Sequence, residues 1–181
     1  MRIVLTTPLY PPDIEEPAHY IKELAKRLAP KHSVTVITYG YLPEEIRGVE
    51  IITINKKRLL PLRLFAFARA LHKSARAADV VYTQNGPSVE LPAALVTLLT
   101  RTPLVMRLGD TRASTRAASH FFLRLVKGFA LARASALVHD SPLPKVEILP
   151  FQSKPTAALV EYEHSWEKHL EQLSSFFHYE N

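Results

Sequence analysis

Short apolar runs rich in β-branched residues alternate along this chain with longer segments whose apolar residues recur every three or four positions. This alternation is typical of β-α-β units packed on a parallel sheet. Several of the short runs are apolar throughout, which is expected when helices cover both faces of a sheet. The pattern therefore predicts an α/β fold with a doubly wound, Rossmann-like parallel sheet and helices on both faces, whose strands span residues 3–7, 34–39, 49–54, 80–84, 104–108 and 136–139.

Five longer segments have the spacing of helices that bury one face, and they span residues 17–30, 60–77, 89–99, 114–132 and 157–177. Pro17 suits the first helical position because its φ angle is already helical. The third helix is almost wholly apolar, so we expect it to be buried. The last helix is expected to pack back on the domain, because its apolar residues have core spacing: Trp166, Leu170, Leu173 and Phe177.

Before this last helix, residues 139–155 hold four prolines and read as a connector around a short strand-like run, 146–149. The whole chain has 181 residues, enough for one sizeable core but too few for two full α/β domains of about 100 to 200 residues each. It contains no cysteine, which excludes a disulfide framework, a thiolate metal site and a cysteine nucleophile. One α/β domain is therefore expected.

The ends of the chain and its charge bear on location and partners. No basic segment followed by an apolar run opens the sequence, and no window approaches ~20 uninterrupted apolar residues. A cytoplasmic protein is therefore expected. The net charge of +6 favours anionic partners such as phosphates or anionic lipid headgroups.

The start of the chain carries a specific pattern. Residues 1–14 read MRIVLTTPLYPPDI, and residues 17–28 continue as PAHYIKELAKRL. This strand, Tyr-Pro-Pro loop and helix closely resemble the opening of family-four retaining glycosyltransferases, and the likeness continues over about the first 140 residues through 34–38, 78–84 and 102–110. The resemblance implies the acceptor-side domain of a two-domain GT-B enzyme, which transfers a sugar from a nucleotide-sugar donor to an acceptor hydroxyl with retention.

The tail resembles the same family a second time. Residues 162–173, YEHSWEKHLEQL, are similar to the Ser-Trp-Glu helix that ends many of these enzymes and crosses back onto the first domain. The family has a complete nucleotide-sugar-binding domain between the two regions. The resemblance thus implies an N-terminal Rossmann-like domain over residues 1–150, a linker over 151–160 in place of the second domain, and a returning helix over 161–181. An engineered deletion is favoured over a natural one.

The first loop departs from the family pattern where the family has paired glycines, because this chain has Glu15 and Glu16 there. Bare glycine backbone can approach donor phosphates, whereas two carboxylates repel them. We interpret Glu15 and Glu16 as a degenerate donor loop. Their charges are expected to stabilise the start of the first helix by about 0.3–1 kcal/mol each, an interpretation that we favour over a general acid–base pair.

Residues that follow the fourth and fifth strands are the candidates for acceptor binding. They lie at the carboxyl edge of the predicted sheet, where ligands bind open α/β sheets. By the resemblance, Asp110 is the candidate catalytic residue that contacts an acceptor hydroxyl, and the acceptor or its phosphate is bound by a wider set: Asn85, Gly86, Arg107, Gly109 and Arg112. The alternative is that Asp110 caps the next helix and the arginines are solvated.

Basic and aromatic residues of the second and fourth helices allow two interpretations. Either they form a cationic face for peripheral contact with an anionic membrane, or the phenylalanines belong to the core and the cations are solvated. The residues are Arg63, Phe65, Arg69, Lys73, Arg76, Arg112, Arg116, Phe121, Phe122, Arg124 and Lys127. Nucleic-acid binding is not expected, because no helix-turn-helix, RNP or zinc pattern accompanies the charge.

Two remaining patterns are expected to carry no chemistry. Glu163 and Glu171 have the E-x7-E spacing of the family's donor signature, but they fall in a predicted helix, so we interpret the spacing as a coincidence. The eight histidines form no H-x-x-x-H pair, and neither a metal nor a cofactor is expected.

These observations favour half of a glycosyltransferase that is not catalytically competent by itself. The alternative is a scaffold or assembly subunit of a split glycosyltransferase, which pairs with a separate donor-binding chain. A Rossmann oxidoreductase is disfavoured because no G-x-G-x-x-G follows the first strand. The partners left open are a sugar or lipid-linked acceptor, a membrane surface, a second copy of this chain and a separate donor-binding half.

Overall fold

The six strands predicted from the pattern pair side by side in one parallel sheet. The computed structural model describes residues 1–84, 86–108, 120–139 and 157–177. The strands are β1 (Arg2–Thr7), β2 (Ser33–Tyr39), β3 (Val49–Ile54), β4 (Val80–Gln84), β5 (Leu104–Leu108) and β6 (Ala136–His139). Their order across the sheet is β3-β2-β1-β4-β5-β6. The predicted strand 146–149 lies outside the described residues.

The sheet reverses its direction of growth at β1. The chain adds β2 and β3 on one side of β1, and then crosses over to add β4, β5 and β6 on the other side. Ile3, Val4 and Leu5 of this central strand are buried, because helices cover both faces of the sheet. Ligands of such sheets bind beyond the carboxyl ends of the strands that flank the reversal, which here are β1 and β4.

The helices form one layer on each face of the sheet. The first layer contains α1 (Glu16–Leu28) and α5 (Ala157–Phe177). The second contains α2 (Leu60–Ala75), α3 (Pro87–Thr100) and α4 (Phe121–Arg133), with α3 packed between the other two. The doubly wound fold predicted from the pattern is thereby confirmed.

The first helix begins one residue before its predicted start, and Pro17 lies in its first turn. Its predicted core face is confirmed, since the apolar residues with i, i+3, i+4, i+7 spacing are all buried: Ile21, Leu24, Ala25 and Leu28. They pack on β1, β2 and β4 together with residues of α5. The regular spacing therefore identified the face of α1 that meets the sheet.

The C-terminal helix α5 packs back onto the domain, as predicted. Trp166 is only 2% exposed, and its ring stacks on Tyr20 of α1 with 5.5 Å between the ring centroids. Leu173 and Phe177 are buried in the same core cluster. Through these residues α5 completes the layer that α1 begins, and it shields that face of the sheet from water.

Glu163 and Glu171, the pair with E-x7-E spacing, have different surroundings. Arg27 of α1 donates two hydrogen bonds of 2.8 Å to the Glu163 carboxylate, and these bonds hold the pKa of Glu163 below its ordinary value. Glu171 is exposed to solvent. In this fold Glu163 therefore fastens α5 to α1.

The prediction that α3 is buried is wrong. Its inner face is buried through residues such as Val89, Ala93 and Val96, but Leu95, Leu98 and Leu99 are exposed. The reason is geometric: α3 meets the sheet on one side and its two neighbouring helices laterally, which leaves its outward side uncovered.

The interpretation of core phenylalanines is also wrong for the three that were singled out. Phe65, Phe121 and Phe122 are all exposed to solvent. The buried positions are Phe67, Leu71 and Ala75 on α2 and Val126 and Ala130 on α4, because those residues are the ones that point toward the sheet. The outer surface of this helical layer is therefore unusually apolar.

Candidate functional site

Buried polar side chains fill the carboxyl ends of β1 and β4. The Thr7 hydroxyl lies 2.6 Å from Gln84 Oε1, and Gln84 Nε2 donates to the Pro17 carbonyl oxygen at 3.0 Å. One position earlier in each strand, the Thr6 hydroxyl donates to the Thr83 hydroxyl at 2.6 Å. These bonds join the two central strands to the start of α1, so they fix the end of the loop after β1 over this edge of the sheet.

Arg107, near the end of β5, is the buried cation of the site. Its side chain is only 5% exposed, and Nη2 donates to Glu16 Oε1 at 2.9 Å. The guanidinium carbon lies 3.6 Å from the centre of the Tyr20 ring, within the range of a cation–π contact. Burial by itself lowers the pKa of Arg107, but Tyr20, Tyr82 and Glu16 raise it overall, so the group stays charged.

Glu15 and Glu16 both lie at the start of α1. Glu15 is the N-cap residue and makes no capping hydrogen bond with its side chain, and Glu16 lies in the first turn. Glu16 also supplies the carboxylate that pairs with Arg107. The anion beside this arginine is thus part of the chain itself, which the prediction of a helix-start role did not include.

Tyr20 connects the edge of the sheet to the C-terminal helix. Its hydroxyl lies 2.8 Å from the Tyr82 hydroxyl and 2.6 Å from His169 Nε2 of α5. All three side chains are buried. This cluster was not predicted from the sequence, because Tyr20 lies 62 positions from Tyr82 and 149 positions from His169.

Gly86, which precedes α3, is closely packed. The Gly86 amide donates to Glu90 Oε1 at 3.0 Å, and a Cβ atom at Gly86 would lie 3.3 Å from Pro8 Cγ. Gly86 has a φ of +156°, a conformation that residues with a side chain rarely adopt. Gly86 therefore lets the turn after β4 approach the loop after β1.

Replacing Gly86 with alanine is expected to lower the free energy of unfolding by about 1–3 kcal/mol, because the new Cβ meets Pro8 and the backbone is strained. The matched control is Gly128→Ala in α4, where a Cβ would have no neighbour within 4 Å. That change should stabilise the protein by about 0.5–1 kcal/mol, since glycine is a poor helix former. Urea unfolding followed by circular dichroism measures both, and equal effects of the two substitutions would contradict this interpretation.

Glu90 is buried, and burial raises the pKa of its carboxyl group, while the Gly86 amide and Lys127 lower it by less. A raised pKa in the folded state means that stability falls as the pH rises from below the ordinary value of 4.5 through the raised value. Glu90→Gln removes this loss and retains an oxygen for the Gly86 amide. We expect the variant to be more stable than the wild type at pH 7, with a difference that shrinks toward pH 4 in urea titrations.

Glu163→Gln is a control for which we expect the opposite change in stability, because the pKa of Glu163 is lowered and not raised. The pKa of Glu163 is lowered by Arg27, so its contribution to stability is present above the ordinary pKa and is lost as the pH falls through the lowered value. This variant should be the less stable one at pH 7 and should equal the wild type in acid. The same pH dependence for both variants would show that the assigned environments are wrong.

A cleft of about 300 Å³ lies at the same edge, beyond β1, β2 and β3. Its walls carry three tyrosines, Tyr10, Tyr39 and Tyr41, and an ion pair in which Lys56 Nζ lies 2.7 Å from Asp13 Oδ2. The volume is at the lower end of the range for small-molecule sites. Tyrosine rings with a nearby charged pair suit a small ligand rich in hydroxyl groups.

Two tyrosines of this cleft, Tyr10 and Tyr39, remain protonated at neutral pH. Burial raises the pKa of Tyr10 and of Tyr39 to about 12. The Tyr39 hydroxyl donates to the Ser88 carbonyl oxygen at 2.8 Å, and this bond ties the cleft to the start of α3. Tyr10 belongs to the Tyr-Pro-Pro loop that carries the family resemblance, whereas no role was predicted for Tyr39 and Tyr41; the signal for these two was the Thr-Tyr-Gly-Tyr run at the end of β2.

The structure places only part of the predicted acceptor set. Arg107 and Gly86 lie at the carboxyl edge as expected, on β5 and directly after β4. Asn85, Gly109, Asp110 and Arg112 fall outside the described residues, so their predicted roles stay predictions. Among residues 1–84, 86–108, 120–139 and 157–177, no group of three or more metal-binding side chains occurs. In the same ranges, no helix has the length and hydropathy needed to cross a bilayer.

The topology and the site together define a class of protein. Its polar side chains converge where the strand order of a doubly wound sheet reverses, which is the edge at which open α/β sheets bind ligands. Residues 16–144 match the family model of the glycosyl transferase 4-like domain, and the chain belongs to this family. The match begins after the Tyr-Pro-Pro loop and ends before α5.

Solved structures agree with this fold. A putative UDP-N-acetylglucosamine 2-epimerase from Listeria monocytogenes superposes with a TM-score of 0.51 at 14% identity, over 79% of this chain and 39% of its own. The UDP-GlcNAc 2-epimerase from Methanocaldococcus jannaschii gives a TM-score of 0.52 at 14% identity, over 78% and 40%. The chain thus spans about two fifths of these structures, and at this identity they show the fold alone. No curated protein matches the sequence.

Proposed function

We propose that this chain is the acceptor-side domain of a glycosyl transferase, which in its complete form moves a sugar from a nucleotide-sugar donor to an acceptor hydroxyl. Membership in the glycosyl transferase 4-like family supports the reaction class. The observation that carries the role of this domain is the cleft at the carboxyl edge, with its tyrosine walls and the Lys56–Asp13 pair. The acceptor binds in this cleft.

The start of α1 argues against donor binding by this domain alone. Helix N-termini commonly hold phosphates through free amides and the helix dipole. Here Glu15 and Glu16 place two carboxylates at that position, and Glu16 already pairs with Arg107. A diphosphate would be repelled by the carboxylates of Glu15 and Glu16. To reach Arg107 it would also have to displace Glu16 from its ion pair. The donor is therefore held mainly by a second domain or chain, and transfer requires both reactants to be positioned together.

Acceptor binding is tested by titrating the isotope-labelled chain with monosaccharides, disaccharides and sugar phosphates while amide chemical shifts are recorded. We expect the shifts to concentrate at the carboxyl edge, around Tyr41 and Lys56, and not at the amino edge around Asp79. Lys56→Ala should weaken binding about tenfold, as expected for the loss of one charge-assisted hydrogen bond. Lys31→Ala, an exposed lysine beyond the end of α1, is the matched control and should bind as the wild type does.

Donor binding is tested with UDP-glucose, UDP-N-acetylglucosamine and GDP-mannose under the same conditions. We expect no tight binding and no glycosyl transfer by this chain alone. Transfer from any of these donors would contradict the assignment of an acceptor-side domain. Shifts spread evenly over the chain with every sugar would contradict the assignment of the cleft.

A further inference from the structure

The two helical layers of this protein differ sharply in charge. The layer of α2, α3 and α4 contains one acidic residue, Glu90, and that residue is buried. No acidic residue occurs between Glu50 and Asp79, a range that includes all of α2. The opposite layer carries six acidic residues, two on α1 and four on α5: Glu16, Glu23, Glu161, Glu163, Glu167 and Glu171. Along the helices that the structure describes, only this side of the molecule is thus free of exposed carboxylates.

That same side exposes large apolar side chains. We call the outward surface of α2, α3 and α4 the outer helical face. On it Leu99 is 75%, Phe121 69% and Phe122 66% exposed, and the other exposed apolar residues are Leu60, Leu62, Phe65, Leu95, Leu98, Leu125 and Phe129. Every one of these helices contributes, whereas an exposed apolar residue on a typical soluble surface stands alone.

Exposed cations stand among these apolar side chains. Arg69 and Lys73 are exposed on α2, and Arg124 is exposed on α4 one turn from Phe121. Among the described residues none of these three has a carboxylate partner within ion-pair distance. Long basic side chains can extend to a charged surface while their stems and the neighbouring rings remain in an apolar environment.

We propose that the outer helical face binds the surface of a membrane that contains anionic phospholipids. Phenylalanine and leucine enter the boundary between headgroups and acyl chains, and the lysines and arginines contact the phosphates. The helices lie on the membrane and do not cross it. The site is distinct from the cleft of the proposed function, and its test uses neither an acceptor nor a donor.

Charge favours this occupant over a second copy of the chain. A symmetric dimer through the outer helical face would bring the same cations of both copies together with no carboxylate between them. An anionic bilayer offers apolar depth and negative charge in one surface, so it complements both features.

Co-sedimentation with lipid vesicles tests the proposal on the full chain. We expect binding to phosphatidylcholine vesicles that contain about 30% phosphatidylglycerol, weaker binding at high salt, and little binding to pure phosphatidylcholine. Arg69→Gln combined with Lys73→Gln should weaken binding about thirtyfold. The matched control combines Lys26→Gln and Lys168→Gln on the opposite layer and should leave binding unchanged.

The apolar contribution is tested separately. Phe121→Gln combined with Phe122→Gln should weaken binding to the anionic vesicles by about tenfold or more, since two exposed rings no longer enter the bilayer. Ile14→Gln combined with Leu42→Gln changes two apolar residues away from this face that are even more exposed, at 85% and 84%, and serves as the control. All of the changed residues are exposed, so unchanged circular dichroism spectra verify that the variants fold.

Four results would overturn the proposal. One is an absence of binding to the anionic vesicles, and another is an equal loss for the control variants. The third is self-association in ultracentrifugation that Phe121→Gln and Phe122→Gln abolish, which would assign the face to a second copy. Equal affinity for a single-stranded RNA of the same charge would likewise replace the membrane with a polyanion of another kind.

Discussion

Trp166→Ala should lower the free energy of unfolding by about 3–5 kcal/mol, the largest effect that we expect from a change in α5. Trp166 is 2% exposed, and its ring stacks on Tyr20 while Arg27 lies 5.1 Å from its centre. Truncation to alanine therefore leaves a cavity where α5 meets α1. Urea unfolding followed by far-ultraviolet circular dichroism measures the loss.

Two controls show whether the loss belongs to this contact. Trp166→Phe keeps an aromatic ring beside Tyr20 and should cost clearly less than the alanine substitution. Glu167→Ala changes the next, exposed position of the same helix and should fall within about 0.5 kcal/mol of the wild type. A loss of less than about 1 kcal/mol for Trp166→Ala would mean that α5 contributes little to the folded domain.

Phe67→Ala should lower the free energy of unfolding by a comparable amount, about 3–5 kcal/mol, because it leaves a cavity in the core on the other face of the sheet. Phe67 is fully buried and stacks on Tyr39, with 4.9 Å between the ring centroids. Tyr39 lines the cleft of the proposed acceptor site, so the cavity lies directly behind a wall of that site. Chemical unfolding measures stability, and the sugar titration described above measures whether the cleft is disturbed as well.

The matched control is Phe65→Ala, two positions earlier on the same helix. Phe65 is 67% exposed, and its truncation should change stability by no more than about 0.5 kcal/mol. The same pair separates the two faces of α2, because Phe65 belongs to the outer helical face and Phe67 does not. Similar losses for both substitutions would contradict the orientation of α2.

Much of the fold could be predicted, since strand and helix positions follow from the local spacing of apolar residues. Four of the six strands, β3 to β6, have the predicted bounds at both ends. The other two, β1 and β2, begin one residue earlier than predicted. The terminal helix also has its predicted bounds, 157–177. These features depend on periods of two and 3.6 residues, which a short stretch of sequence already contains.

The site was predicted less completely, because its contacts join distant parts of the chain. Arg107 was predicted from its position near the end of the fifth strand, but its partner Glu16 lies 91 positions away and had been assigned to a different role. The cleft at the ends of β1, β2 and β3 was not predicted at all. It exists because three loops that are separate in sequence meet at one edge of the sheet.

The local pattern of apolar residues was sufficient to predict the helices and strands, their order and the α/β class. This is because the preference of each segment for helix or strand depends on its own residues. Packing was needed to decide which side of each element is buried. Phe67 points inward and Phe65 outward on the same helix, and α3 is covered on one side only. It also brought Tyr20 to His169 across 149 positions. Such choices depend on the surface that a distant segment presents, and no periodicity within one segment contains that information.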